Sequence, residues 1–432
     1  MASSAYGRKL NPYRHLRDPL GVKGVRQSVV VTNNPSTIDQ NQQLLVRFPN
    51  LGAHDVIVPG TARLAFTVSL TSTDANRSIV QNLGRAIVKK MTIKISGNEV
   101  LSIDDSDVFH CYQDFWKTAQ ERSNSQYQGI DTSSNRNVTR IRVGAGNKDE
   151  TETEDAAIAA AYGNRFHIPL DFELLESHMP FYQSALGDRL EYELTFNDYS
   201  RVVVATGNTA ASYSIDNIAL EFEMATQPDL ARQIRNQYAG RLAVLYERVL
   251  RHRKITANKS DTLWNINLNV PARSMKGILL LFEDPAAAFQ RDTEKFYNPQ
   301  ISKVEVTIEG IPNQLYSQGM RAYQLWEEAR KHFAAGGTKR HPEVAVVAKD
   351  LALADVSLGQ YLTSKHALWL DLRTSDDDQL HGSGRRVENA SEGVTIQITK
   401  TAEAAGVLNI YLYVIMDAQL NIENGRFVSA LY

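Results

Sequence analysis

Apolar and polar residues alternate along most of this chain. A period of two is the repeat of a β-strand, whose successive side chains point to opposite faces of a sheet. In ARLAFTVSL the apolar set is Ala62, Leu64, Phe66, Val68 and Leu70, and in LEYELTFN it is Leu190, Tyr192, Leu194 and Phe196. In IALEFEM it is Ile218, Leu220, Phe222 and Met224. LWNINLNV and GVTIQITK repeat the theme, and LNIYLYVIM places Leu408, Ile410, Leu412, Val414 and Met416 on one face. A strand with one apolar face needs a second sheet to cover it, so the expected class is an all-β sandwich.

Two long stretches break the alternation. In SDVFHCYQDFWKTAQER, Val108, Tyr112, Phe115 and Ala119 follow helical spacing, with Ser106 as the expected N-cap. In RAYQLWEEARKHFAAGG, Ala322, Leu325, Trp326 and Ala329 do the same, and Gly336 is placed to end the helix. Each helix follows one of two similar strands, KKMTIKISGNEVLS and SKVEVTIEGIPNQLYS, which points to an internal duplication. Lys90, Ile93, Ile95 and Gly97 align with Lys303, Val306, Ile308 and Gly310. After a two-residue insertion in the second copy, Asn98, Glu99 and Val100 align with Asn313, Gln314 and Leu315. Tyr112, Gln113 and Trp116 then match Tyr323, Gln324 and Trp326. FHIPLDF and HALWLDL, LEYELTF and VTIQITK, and NIALEFEM and LNIYLYVI follow in the same order.

The expected organisation is an arm over residues 1–27, a first sandwich over 28–226, a linker over 227–241 and a second sandwich over 242–432. Pro228 can open a short helix in the linker. A helix is expected after the fourth or fifth strand of each half. Polar stretches over 125–164 and 373–392 read as long loops leaving equivalent places in the two halves.

A chain of 432 residues exceeds the size at which a single core stops growing, in agreement with two domains. Its formal charge of -2 gives no overall basic field for nucleic acid, so any such contact has to be local. One cysteine, Cys111, excludes an intrachain disulfide framework and fits a reducing compartment. The four sequons at Asn76, Asn137, Asn258 and Asn389 are short patterns that arise often by chance. No stretch has the length and apolarity of a signal peptide or a membrane span.

Catalytic chemistry finds no footing. The ten histidines are scattered without metal-ligand spacing, and His110 beside Cys111 points away from it on a helix. The acids at Asp104 and Asp105, 149–155 and 376–378 read as solvated charge rather than a glycosidase pair. GSGRR and AGGTKR lack the spacing of phosphate-binding loops, and no G-x-S-x-G elbow is present. No catalytic, cofactor or metal residues are assigned. The arm carries Arg8, Lys9, Arg14, Arg17, Lys23 and Arg26 against Asp18, which suits either an electrostatic contact or a solvated tail.

RFHIPLDFELLESHMPFYQSALGDRLEYELTFNDYSRVV (165–203) and GVLNIYLYVIMDAQLNIENGRFVSALY (406–432), within this ordered repeat, resemble double jelly-roll major capsid proteins of tailless icosahedral viruses. The resemblance is closest to the Polinton/Maverick and adintovirus-like, adenovirus hexon-like, members. It implies two tandem jelly rolls and a homotrimer in which six sandwiches make a pseudo-hexagonal capsomer. It further implies a shell around double-stranded DNA, assembled in the host cytoplasm or nucleus. The partners implied are neighbouring capsomers, minor or penton proteins and, through Arg8, Lys9, Arg14 and Arg17, the capsid interior and genome. No enzyme activity is implied. The competing class is a carbohydrate-binding or carbohydrate-cleaving β-sandwich, for which Trp264 and Trp369 are the best aromatic platforms, although both lie in alternating strands. A single-sandwich vertex protein is disfavoured by the duplication.

Overall fold

The computed structural model describes residues 25–32, 35–58, 60–72, 78–117, 122, 125–130, 140–141, 165–170, 182, 185–204, 211–285, 291–313, 316, 320–333, 356–373, 384–387 and 393–431. The arm residues Arg8, Lys9, Arg14 and Arg17, Gly336 and most of the two long polar stretches lie outside them.

In the first half the elements are β1 (Val25–Thr32), β2 (Thr37–Asp39), β3 (Gln43–Arg47), β4 (Asp55–Ile57), β5 (Arg63–Ser72), β6 (Ser78–Val80), α1 (Leu83–Ala86), β7 (Val88–Ile95), β8 (Asn98–Asp104) and α2 (Ser106–Asp114). They continue with β9 (Arg140–Ile141), β10 (Arg165–Pro169), β11 (Leu190–Phe196), α3 (Tyr199–Val202), β12 (Val203–Val204) and β13 (Ala211–Thr226). Helix α4 (Pro228–Ala239) follows, with Pro at its first turn as its sequence suggests. The second half comprises β14 (Arg241–Asn258), β15 (Leu263–Leu268), β16 (Ala272–Glu283), β17 (Ile301–Ile308), β18 (Ile311–Pro312), α5 (Ala322–Phe333), α6 (Leu358–Thr363), β19 (Ala367–Asp371), β20 (Arg385–Val387), β21 (Val394–Lys400), β22 (Val407–Glu423) and β23 (Arg426–Leu431).

The long strands of each half nest as one hairpin folded over into two sheets, and in the first half β12, β6 and β9 form a third, small sheet. In the first, β1 pairs with β13, β3 with β11, β5 with β10 and β7 with β8, all antiparallel. In the second, β14 pairs with β22, β15 with β21, β16 with β19 and β17 with β18. The sheet orders β1-β13-β5-β10 and β3-β11-β7-β8 are reproduced, strand for strand, as β14-β22-β16-β19 and β15-β21-β17-β18. The ordered matches in the sequence therefore correspond to equivalent strands.

The alternating residues do what their period requires. Leu64, Phe66 and Val68, then Leu190, Tyr192, Leu194 and Phe196, then Leu220 and Phe222 all lie in the core. Gly277 of β16 marks a close approach: a Cβ there would come within 2.2 Å of the Trp369 ring on β19.

Three details depart from the sequence-based reading. The β7–β8 turn is centred on Ser96 and Gly97 (φ 52° and 79°), one residue before Gly97-Asn98, and Glu309-Gly310 repeats it (φ 50° and 78°). Two central residues with positive φ give the turn whose twist matches a two-residue hairpin. Since Ile95 pairs with Asn98 and Ile308 with Ile311, Ile311 rather than Asn313 is the counterpart of Asn98, and the insertion lies beyond the turn. Ser106 is the first helical residue of α2; the cap is Asp105, held at φ 47° with no side-chain cap bond, while Ser106 Oγ lies 3.0 Å from His110 Nδ1. Finally, α5 follows the fifth strand of its half, whereas α2 follows the eighth of the first half, because β2, β4 and β6 are short additions there.

Candidate functional site: the seam between the sandwiches

The middle of β22 is buried on both faces. Leu408, Ile410, Leu412, Val414 and Met416 point into the second sandwich, and Tyr411, Tyr413 and Ile415, on the other face, are equally buried. That outer face is covered by the first sandwich. Helix α2 lies against it, which is why eight of its nine residues, all but Gln113, are buried rather than only the expected face. Phe109 packs 5.3 Å from Tyr413, centroid to centroid, and Tyr413 Oη donates to the Asp105 carbonyl at 2.8 Å. Tyr246 Oη of β14 donates to the Val100 carbonyl of β8 at 3.0 Å. The stretch leading into β17 adds Phe296, edge-on to Tyr112 (5.4 Å) and Phe115 (5.6 Å), and Thr293, whose Oγ1 donates to the Gln81 carbonyl at 2.7 Å. The end of α5 contributes Phe333, 5.5 Å from Tyr112.

A charge network runs through this apolar seam. Arg201 Nη1 donates to both Glu283 oxygens at 2.9 Å, and its Nη2 reaches Asp107 at 3.0 Å. Arg291 meets the same Asp107 oxygen at 2.7 Å and donates to the Arg201 carbonyl at 3.1 Å. Tyr411 Oη donates to Glu283 at 2.8 Å. Asp107 and Arg201 come from the first half, Glu283 and Arg291 from the second, so the Arg201–Glu283 and Arg291–Asp107 pairs cross from one half to the other. Burial alone would raise the Glu283 carboxyl, but Arg201 and Arg291 hold it down at about 2. Asp105 behaves oppositely: burial, then the charge of Asp107, raises its carboxyl despite Arg251 at 3.1 Å. At the rim, Arg122 makes a two-pronged bond to Glu294 at 2.9 and 2.8 Å.

Cys111 is buried and its thiol pushed up by desolvation, the opposite of an activated nucleophile. Among the described residues no cluster of His, Cys, Asp or Glu could hold a metal ion, and no helix is long and apolar enough to cross a membrane. Trp264 and Trp369, the candidate sugar platforms, are 7% and 0% exposed, one stacked on Phe282 and the other on His332. The seam joins the two sandwiches through buried aromatic contacts and buried ion pairs.

No motif announces the seam. Its signal lies in GILLLF and LNIYLYVI, where large apolar residues occupy consecutive positions, the mark of a strand covered on both sides.

Two sandwiches of identical nested topology, welded in tandem, define a double jelly roll. Solved structures with this fold are the Sputnik virophage (TM-score 0.60, 12% identity, covering 96% of this chain and 90% of that one) and the PBCV-1 virus capsid (0.57, 14%, 96% and 98%). The mavirus major capsid protein is a third (0.54, 11%, 96% and 92%). No protein-family model and no curated protein matches the chain.

Proposed function

We propose that this chain is the major capsid protein of an icosahedral double-stranded DNA virus or virus-like element, built as a homotrimer with a pseudo-hexagonal outline. The observation that carries the reading is the double jelly roll itself, extending over nearly the whole chain and over nearly the whole of capsid proteins from PBCV-1, Sputnik and mavirus. Physics favours the same use. Two equivalent sandwiches joined rigidly let three chains approximate six-fold packing, and a closed ring buries flanks that a lone chain leaves open. In this reading residues 28–226 and 242–432 are the two jelly rolls, joined through 227–241, and the basic arm of residues 1–27 lies beneath the shell. There Arg8, Lys9, Arg14 and Arg17 would meet neighbouring subunits, minor proteins or the genome. The chain acts without catalysis, in the virion, with copies of itself as its first partner.

Light scattering on the purified chain tests this. Three copies of the 48.3 kDa chain are expected, and electron microscopy should show a three-fold particle with a six-sided base. A persistent monomer overturns the proposal.

A further inference from the structure

His366, one residue before β19, is a polar side chain shut into an apolar box. It is 2% exposed, its ring lies 4.8 Å from Tyr361 of α6 and 5.8 Å from Phe282 of β16, centroid to centroid, and neither ring nitrogen has a hydrogen-bond partner among the described residues. The titratable groups on the surrounding elements are engaged elsewhere. Glu283, next to Phe282, is bound to Arg201 and Tyr411, and Asp371, at the far end of β19, is bound to Arg373. Tyr361 donates its hydroxyl proton to the Ala367 carbonyl. Lys400 of β21, whose ammonium lies over Trp264 behind Phe282, is held by the carbonyls of Lys259 and Thr401. What acts on His366 is burial, which pushes its imidazole down to about 3. A neutral ring fits such a box; an imidazolium with no counter-charge does not.

The box also closes a corner that touches the other sandwich. The Phe296 N–H donates to the Ser364 carbonyl at 2.6 Å, and Asn298 Nδ2 to the Leu362 carbonyl at 2.8 Å, so the turn after α6 is tied to the stretch leading into β17. Lys365, adjacent to His366, sets its ammonium 4.6 Å from the centre of the Phe115 ring of the first sandwich, the same ring that Phe296 meets edge-on. Displacing this corner therefore withdraws two second-half residues from Phe115.

We infer that the corner formed by α6 and the start of β19, residues 358–367, is an acid-opened latch: a proton on His366 drives the corner out of the core and loosens the Lys365 and Phe296 contacts with the first sandwich. The closed corner refuses a proton that an exposed imidazole accepts, so closure is complete above pH 6.5 and is lost as the pH falls towards 3. This window begins above that of Glu283, whose ordinary value is 4.5. The latch belongs to a single chain and operates whether or not copies assemble.

Hydrogen exchange read by mass spectrometry on the full chain, at pH 7.5 and pH 5 and corrected for intrinsic rates, tests this. In the parent, peptides covering 358–371 should lose protection by about 30-fold at pH 5, while β7 and β11 of the first sandwich keep theirs. His366→Phe and His366→Leu, each verified as folded at pH 7.5 by circular dichroism, should keep 358–371 protected at both values. His167 and His252, also lowered by burial, are untouched in these variants, so any response they cause is common to all three chains. A parent equally protected over 358–371 at both pH values overturns the inference. So does a loss that is uniform along the chain, or one that persists undiminished in both variants.

Discussion

Glu283 ties the two halves together and makes their union sensitive to acid. Its folded pKa of about 2 lies below the ordinary 4.5, so its contribution is complete above pH 4.5 and is lost as the pH falls towards 2. A shift of that size corresponds to about 3 kcal/mol. Denaturant titrations across this range should show stability falling in the parent chain, with a shallower fall in Glu283→Gln; identical slopes would remove Glu283 from the account. Arg201→Met should also destabilise at neutral pH, by about 3 kcal/mol, because it removes one of the two guanidinium groups that Asp107 and Glu283 share and leaves Arg291 as their remaining cation. None of these partnerships is legible in the sequence. Asp107 and Glu283 are 176 positions apart, and no local pattern encodes which arginine meets which acid across a domain boundary.

Among the elements, the two-residue hairpins carry the most specific sequence requirement. Gly310 sits at φ 78° with open space where a Cβ would stand, so the cost of Gly310→Ala is conformational alone, about 1–2 kcal/mol. Gly310→Asn should recover part of it, because Asn tolerates the left-handed region. Thermal melts of the two variants that fell in the opposite order would contradict this turn assignment. Gly277→Ala is a different case, since its Cβ would strike the Trp369 ring, and it should destabilise by more than either. At this scale the sequence is informative. Alternation locates the strands, helical spacing locates α2 and α5, and Pro228 opens α4 as expected. Two departures are of one residue, at the turn centre and at the α2 cap; the third is the place of α2, after the eighth strand of its half rather than the fourth or fifth. Gly97-Asn98 looks like a turn pair from composition, but only pairing of Ile95 with Asn98 reveals that Ser96 takes the other positive φ.

For the whole molecule, a single apolar cluster runs from the first sandwich into the second, so the two halves share one core. The full chain should melt in one cooperative calorimetric transition, and residues 242–432 expressed alone should associate or precipitate through the uncovered Tyr411, Tyr413, Ile415 and Phe296. Two well-separated transitions, or a soluble monomeric second half, would mean that the seam is weaker than its burial indicates. Tandem sandwiches are legible because strand alternation and the ordered repeat are local signals. The weld between them is not, because burial of a strand's second face depends on a neighbour that the strand's own period does not specify.

The nested pairing also sets a timetable for birth on the ribosome. Val25 has its partner only in Thr226, so about 200 residues must be added, over roughly 10–40 s, before the first strand can be enclosed. Throughout that interval the nascent chain holds one half of a sheet with no other half yet in existence. Chains stalled before residue 226 should therefore be cut readily by protease, and chains stalled well past it should resist; early resistance would mean that the outermost strand is sheltered by something other than its native mate.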